Sequence, residues 1–371
     1  MKKKFLILFL FCFWRQLNAQ VVNTATIDTT EGVTIGKTGI SGYIDLYSGY
    51  SYRKQPGKSM AFFVSSDRLE QLAINLAYID IRYNNGNIRA RLIPAVGTFM
   101  NANYKQELPG FRNLFEANAG ILLDKKRKIW LDAGVLSSPI TNESAISKDH
   151  SVYTRSTSAD YIPYYLCGVK LGMPLSKKLN TNLFLTNGWQ DISDHTPGPG
   201  GLAQLEYKPN QNTLINFNYF FTREKYRADS LSALTNRHLI DFFILRKGRG
   251  RWQYSYSIYT GSEHSGKLVT EGLQDTSTRN YRGMFLSTFY SAQVHFTGKK
   301  SLGSRIEFTY NNSEFYNNTR KGQYLWSPAI CYNYKPDSNS ILRLEARYLG
   351  SKYQQQGFDN LWLTGNLTVW F

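Results

Sequence analysis

From about residue 40 to the end of the chain, apolar and polar positions alternate with a period of two, the mark of β-strands with one face in each environment. Ile40, Gly42, Ile44 and Leu46 fall on one side, Ser41, Tyr43, Asp45 and Tyr47 on the other. Thr213, Ile215, Phe217, Tyr219 and Phe221 alternate with Leu214, Asn216, Asn218 and Phe220. Leu342, Leu344, Ala346 and Tyr348 alternate with Ile341, Arg343, Glu345 and Arg347. No stretch carries a comparable helical period. Between Leu72 and Tyr83 the apolar phase slips near Ala77, which predicts a β-bulge there. Pro94 and Pro328 fall inside strands, where a missing amide donor is awkward.

The connections alternate in length. Short polar turns occupy Asn84–Asn87, Asp124–Lys128, Ser176–Lys178, Lys208–Asn212, Lys247–Arg251, Gly298–Leu302 and Pro336–Ser340. Between them lie longer segments at 54–71, 100–112, 137–161, 187–201, 223–237, 261–280, 312–322 and 350–359. Sixteen strands, seven tight turns and eight long loops are the arithmetic of an all-β, antiparallel transmembrane β-barrel with both termini on one side. Its short turns would be periplasmic and its long loops extracellular. A soluble β-sandwich has no reason to alternate its loop lengths so regularly. In lipid every backbone polar group must be paired, so strands with one apolar face have to close on themselves. The register sends Ile129, Leu131, Ala133 and Val135 to lipid, and Trp130, Asp132 and Gly134 to the lumen. Tyr324, Trp326, Tyr332 and Tyr334 fall near strand ends, as interfacial girdles do.

Composition narrows the class. Of 371 residues 42% are hydrophobic and 15% aromatic, too many for a disordered chain. No apolar run reaches about 18 residues, which excludes a helical membrane protein. Lys2, Lys3 and Lys4 precede an apolar stretch from Phe5 to Trp14, and the small Ala19 stands before Gln20. That layout reads as a secretory signal peptide over residues 1–19. Residues 20–38, polar and Thr-rich, would be a periplasmic tail or a small plug, and 39–371 the barrel. Cys167 and Cys331 are too few for a disulfide framework in an exported chain. The terminal strand Leu367-Thr368-Val369-Trp370-Phe371 resembles the signal read by the outer-membrane barrel assembly machinery, which makes that machinery a partner through Phe371. Export also removes nucleic acid as a partner.

The net charge of +17 changes less than its size implies. Asp45, Glu116, Asp132, Glu206, Asp241, Glu307 and Glu345 face the lumen in this register, against Arg53, Arg89, Arg91, Lys170, Arg305, Arg343 and Arg347. The excess therefore sits in turns such as Lys125–Lys128 and cannot be read as anion selectivity. A barrel of this strand number leaves a water-filled channel. Arg89 with Arg91, and Arg343 with Arg347, form basic ladders that either bias the pore or pair across strands to stiffen the wall. Glu116, Asp132 and Lys170 are further pore-lining candidates. Segment 137–161 either folds into the lumen, with Glu143 and Arg155 as opposing charges at a constriction, or is an ordinary external loop. Asp149-His150-Ser151 and Ser193-Asp194-His195 place acid, base and hydroxyl side by side, but sequence neighbours on a loop rarely converge for catalysis. His238, His264 and His295 lack metal-ligand spacing, and the Gly-Pro-Gly-Gly run at 198–201 reads as a turn. No catalytic, cofactor or metal site is therefore expected.

Glu116-Ala117, Leu131-Asp132-Ala133-Gly134, Asn142-Glu143-Ser144 and Tyr153-Thr154-Arg155-Ser156 carry a resemblance, continued by Pro163-Tyr164-Tyr165, Gly168-Val169-Lys170-Leu171 and Asn187-Gly188-Trp189-Gln190. Across about 110–192, and more loosely over the whole mature chain, the sequence resembles the OmpL-like β-barrel porins of Bacteroidetes. Cys167 departs from the small polar residue expected there. The resemblance implies a Gram-negative outer membrane, with lipid and lipopolysaccharide around the barrel, and passive diffusion of small hydrophilic solutes or ions through it. The other reading is an occluded structural or adhesive barrel whose extracellular loops bind partners. Ion conductance separates the two. A homotrimer, as in general porins, stays open, and nothing in the sequence marks an interface.

Overall fold

A computed structural model describes residues 32–54, 58–60, 62–193, 198–228, 231–248, 250–265, 269–270, 281–312, 323–353 and 356–371. The expected signal peptide, 1–19, and residues 20–31 of the expected tail or plug lie outside the described residues.

Sixteen long antiparallel strands close into one barrel. They are β1 (Thr38–Ser51), β2 (Leu72–Asn84), β3 (Ile88–Val96), β4 (Leu114–Asp124), β5 (Ile129–Ser137), β6 (Tyr165–Pro174), β7 (Leu179–Thr186) and β8 (Gly200–Asn210). They continue with β9 (Thr213–Ala228), β10 (Leu231–Arg246), β11 (Trp252–Ser265), β12 (Tyr281–His295), β13 (Lys300–Asn311), β14 (Gln323–Tyr334), β15 (Ser340–Tyr353) and β16 (Gln356–Trp370). Each pairs with its neighbour in sequence, and β16 closes on β1 with Trp370 opposite Tyr43 and Trp362 opposite Ser51. The last residue takes part. Phe371 N donates to the Gly42 carbonyl at 3.0 Å, and Gly42 N donates back to the Phe371 carbonyl at 2.7 Å. A Cβ at Gly42 would press on the tip of the Phe371 ring, which would have to swing aside.

All seven short turns are present, six of them where the pattern put them; the one expected at Gly298–Leu302 lies earlier, at 296–299, since β13 begins at Lys300. The outward face is apolar, with Ile79, Leu92, Ile121, Leu183, Ile240, Ile306, Ile330 and Leu344 exposed to the bilayer position. Tyr324, Trp326 and Tyr332 are exposed on the same face at its two ends. Among the described residues the only α-helix is short, Thr98–Asn103. Val33–Ile35 folds back on Thr38–Ile40 and is exposed.

Several expectations are corrected. Segments 223–237 and 350–359 are not loops: β9 runs to Ala228 and β10 resumes at Leu231, while β15 runs to Tyr353 and β16 resumes at Gln356. The described residues of 261–280 are likewise strand: β11 reaches Ser265 and Val269–Thr270 pairs with Leu231–Ser232. These strands are 14 to 16 residues long, beyond the 9–11 or so that cross a bilayer. Toward these strand ends the sequence loses its regular apolar–polar alternation while the backbone ladder continues. Most of 312–322 lies outside the described residues. The bulge in β2 falls at Asn75, two residues before Ala77, where the register skips between Asp45 and Leu46 of β1. Asn75 Nδ2 donates to Asp45 Oδ2 at 2.9 Å, which turns it into the lumen. Val135 is buried rather than facing lipid, because it belongs to the cluster of Phe99, Tyr104 and Tyr165. Pro94 sits at a register shift between β3 and β4, which disposes of its missing donor.

Candidate functional site

The lumen is occupied by a loop. Residues 138–164 (L3, between β5 and β6) fold inward and bond to the opposite wall. Glu143 meets Arg305 of β13 at 2.9 Å and accepts from Ser156 N at 2.6 Å. Arg305 also donates to the carbonyls of Thr154 and Arg155. Arg347 of β15 donates to the Arg155 carbonyl at 2.6 Å and pairs with Glu307. Glu307 in turn accepts from the backbone and hydroxyl of Thr157, both at 2.9 Å. Glu345 accepts from Tyr153 N and Thr154 N at 2.6 and 2.9 Å. Arg343 donates to the Ser147 carbonyl at 2.7 Å. Wall charges that alternation places in the lumen are thus satisfied by loop backbone, in charge-assisted hydrogen bonds stronger than neutral ones.

The seat is shaped as well as charged. On β13 Gly303 lies against the Ser151 carbonyl, where any Cβ would overlap it. The loop tip reaches the turn side of the barrel: Asp149 lies 3.7 Å from Lys247, and Lys148 stacks over Trp370 at 5.0 Å. His150, on this tip, is buried and neither ring nitrogen has a hydrogen-bond partner. Burial, reinforced by Arg155 and Arg343 against the opposing Glu143 and Asp149, pushes its pKa down to about 3. Burial raises Glu143 more than any single neighbour lowers it, but Arg305, His150 and the Ser156 hydrogen bonds together leave the carboxyl below its ordinary value.

The inward reading of 137–161 therefore describes the structure, but two roles assigned to its neighbours do not. Glu143 and Arg155 do not oppose each other across an opening; both are buried within the packed loop. Arg155 lies 3.6 Å from Asp160, covers the Tyr164 ring at 4.2 Å and donates to the Glu143 carbonyl. Arg343 and Arg347 are not an accessible basic ladder either, since they hold L3. A charge in a barrel lumen is accessible only where nothing packs on it, and the sequence pattern does not say what packs.

Other loops cover L3 from outside. Asp160 accepts from Val64 N and Ser65 N of the loop after β1, at 3.0 and 3.2 Å. Glu107, between β3 and β4, accepts from Tyr165 OH at 2.5 Å and from Ile192 N and Ser193 Oγ at 2.9 and 2.8 Å. Phe99, Met100 and Tyr104 of the short helical loop pack with Tyr43, Tyr78, Ile93, Val135 and Tyr165. Glu107 and Asp160 had no signal beyond being acids in loops.

What remains open is a cavity of about 460 Å³ on the other side of the lumen, walled by β2 to β8. It runs from Asn84, Lys128 and Pro174 at the turn end to Ser137 and Pro139 at the root of L3. Here the remaining sequence candidates converge. Arg89 binds Asp132 through two nitrogens at 2.6 Å, and Lys170 reaches the same carboxylate at 3.2 Å. Arg91 bridges Asp80 and Glu116, each at 3.0 Å. Asp80 and Arg82 were missed because the β2 bulge shifted the phase. Amides continue the wall: Asn182 donates to Gln204 at 2.7 Å, and Gln204 donates to Asn216 at 2.8 Å.

Catalytic geometry is not assembled at Asp149-His150-Ser151, whose imidazole bonds neither neighbour. Asp194 and His195 lie outside the described residues. No cluster of metal-ligating side chains occurs among the described residues.

Comparison with known proteins agrees with this architecture. The profile of the family described as "Putative beta-barrel porin-2, OmpL-like" matches residues 37–369. No curated protein sequence matches the chain. The outer membrane channel DcaP of Acinetobacter baumannii superposes with a TM-score of 0.61 at 9% identity, over 92% of this chain and 100% of that one. The trimer form of OmpT, an outer membrane protein of Vibrio cholerae, gives 0.56 at 9% identity, over 90% and 99%. The anion-selective porin of Comamonas acidovorans gives 0.55 at 9% identity, over 90% and 99%. At these identities the likeness is one of fold.

Proposed function

Since the chain belongs to the OmpL-like β-barrel porin family, we propose that it acts as an outer-membrane channel for small hydrophilic solutes or ions, whose passage is governed by L3. The observation that carries this reading is the division of the lumen. One side is filled by L3 on Arg305, Glu307, Arg343, Glu345 and Arg347. The other side holds a cavity lined by charged, amide and apolar side chains that ends at the root of the same loop. Solutes would pass along the β2–β8 wall when L3 and the loops above it yield, trading hydration for the charged and amide side chains there. Arg89, Arg91, Glu116, Asp132 and Lys170 would line that path. Glu143, Arg155, Arg343 and Arg347 would act on it through the loop. The work is transport, not catalysis. A trimer is the assembly we favour, by analogy with the trimer form of OmpT. Cleavage after Ala19 and recognition of Phe371 by the assembly machinery complete the reading.

The same packing gives the second reading its support: L3 and its covering loops close the lumen among the described residues, as an occluded adhesive barrel would require. Single-channel recording from the purified barrel in a planar bilayer decides. Discrete conductance steps, larger when L3 is unseated, support the channel. Silence from folded barrel, both intact and with L3 unseated, rejects it in favour of the occluded one.

A further inference from the structure

The charges around the β2–β8 cavity are paired, yet they are not presented equally. Asp132 is 2% exposed while its partners Arg89 and Lys170 are 36% and 24% exposed. Asp80 is fully buried while Arg82 and Arg91, which share it, are 19% and 14% exposed. Each of these acids lies behind two bases. Five cations line the cavity (Arg82, Arg89, Arg91, Lys128 and Lys170) against Glu116, Asp132, Glu206 and the Asp80 that lies behind Arg82 and Arg91, leaving a surplus of one positive charge. Low-dielectric walls focus such a field into the cavity rather than letting water screen it.

The donors are also held in place. Arg89 spends Nε and Nη2 on Asp132, and its guanidinium lies over the Trp130 ring at 4.2 Å. Stacking on one face and bonding along one edge leaves a planar fork of fixed orientation, suited to oxygens of a carboxylate or phosphate. Lys170 Nζ carries three donors, one of them directed at Asp132.

We propose that this cavity is a binding site for small oxyanions bearing a carboxylate or phosphate group, with Arg89 and Lys170 as the contacting residues and Asp132 as the buried acid that positions both. The site deepens the channel reading by naming the solute class, but binding itself does not require that the barrel conduct. The sequence-level balance of lumen charge conceals it, because it weighs a buried acid equally with an exposed base.

The test is titration calorimetry of the purified barrel with inorganic phosphate and, separately, with succinate, repeated on two variants whose folding is checked by heat-dependent gel mobility. Arg89→Gln removes a contacting donor and weakens binding by about tenfold. Asp132→Asn keeps an oxygen acceptor of the same shape beside Arg89, so that the fork stays placed, while removing the competing negative charge, and tightens binding. Opposite shifts in the two variants carry the inference, and succinate binding alone or phosphate binding alone tells which oxyanion is preferred. Absence of binding by both anions, or shifts of the same sign in the two variants, overturns it. A silent barrel that binds phosphate would leave the site standing and remove the channel; a conducting barrel that binds neither anion would do the reverse.

Discussion

Gly303 shows how little the position of a charged loop depends on charge alone. Without a Cβ it admits the Ser151 carbonyl to the wall, and Asn333 Nδ2 then donates to the same carbonyl at 3.1 Å. Gly303→Leu should displace the L3 tip at a cost of about 1–3 kcal/mol, the ordinary penalty of overpacking. The expected readout is faster proteolytic cleavage within 138–164 while the barrel stays heat-resistant; unchanged cleavage would contradict the seat. Arg305→Ala strands Glu143 in a buried position without its ion-pair partner. Such a loss costs about 3–5 kcal/mol. Its effect should fall on the loop first, because backbone ladders hold β13 whether or not Arg305 is present. Glu143→Gln combined with Arg305→Ala should recover part of that loss, and a double-mutant cycle measures how much.

For L3 as an element, acid is the natural perturbation. A solvent-exposed histidine titrates near pH 6.5, whereas His150 in the seated loop is pushed down to about 3. The released loop therefore binds the proton more readily. Seating is strongest above about pH 6.5 and weakens as pH falls toward 3. Glu143, held below its ordinary value, adds to the loss only at the acid end of that range. The groups around the imidazole are Glu143, Asp149, Arg155 and Arg343, with Lys247 across the pocket. Conductance or L3 cleavage should thus rise between about pH 6.5 and 4, and His150→Gln should flatten that rise. A rise that survives the substitution would assign the pH response to the carboxylates instead. The inward direction of L3 was one of two options in the sequence, and its many charges favoured neither. A loop that pairs Glu143 in water and one that pairs it with Arg305 have the same composition; only the position of β13 distinguishes them.

For the whole molecule, closure is the property to test. β16 meets β1 along a continuous ladder that ends at Gly42 and Phe371. Gly42→Val would drive a side chain into the Phe371 ring. The expected outcome is a smaller folded fraction after refolding into detergent, read by heat-dependent mobility, with Phe371→Ala milder because it introduces no clash and keeps the backbone bonds. Equal folded fractions for Gly42→Val and the parent would show that the Phe371 ring swings aside without cost to the seam.

The barrel itself was legible along the chain: its strand count, its turns, and which side chains of most strands face inward. Those follow from local rules, since a stave crossing lipid has to alternate and has to end in polar turns. The pattern carried less at β2, where Asn75 breaks the phase and hides Asp80 and Arg82, and toward the outer strand ends, where β9 and β10 continue without regular alternation. Which lumen charges are used up and which are offered emerges only when the chain is folded. Arg343 and Arg347 read like Arg89 and Arg91 in the chain, yet one pair is buried under L3 and the other faces a cavity. That difference depends on residues more than a hundred positions away coming to lie on one strand and not on another, and alternation along a strand carries no information about what crosses the lumen to meet it.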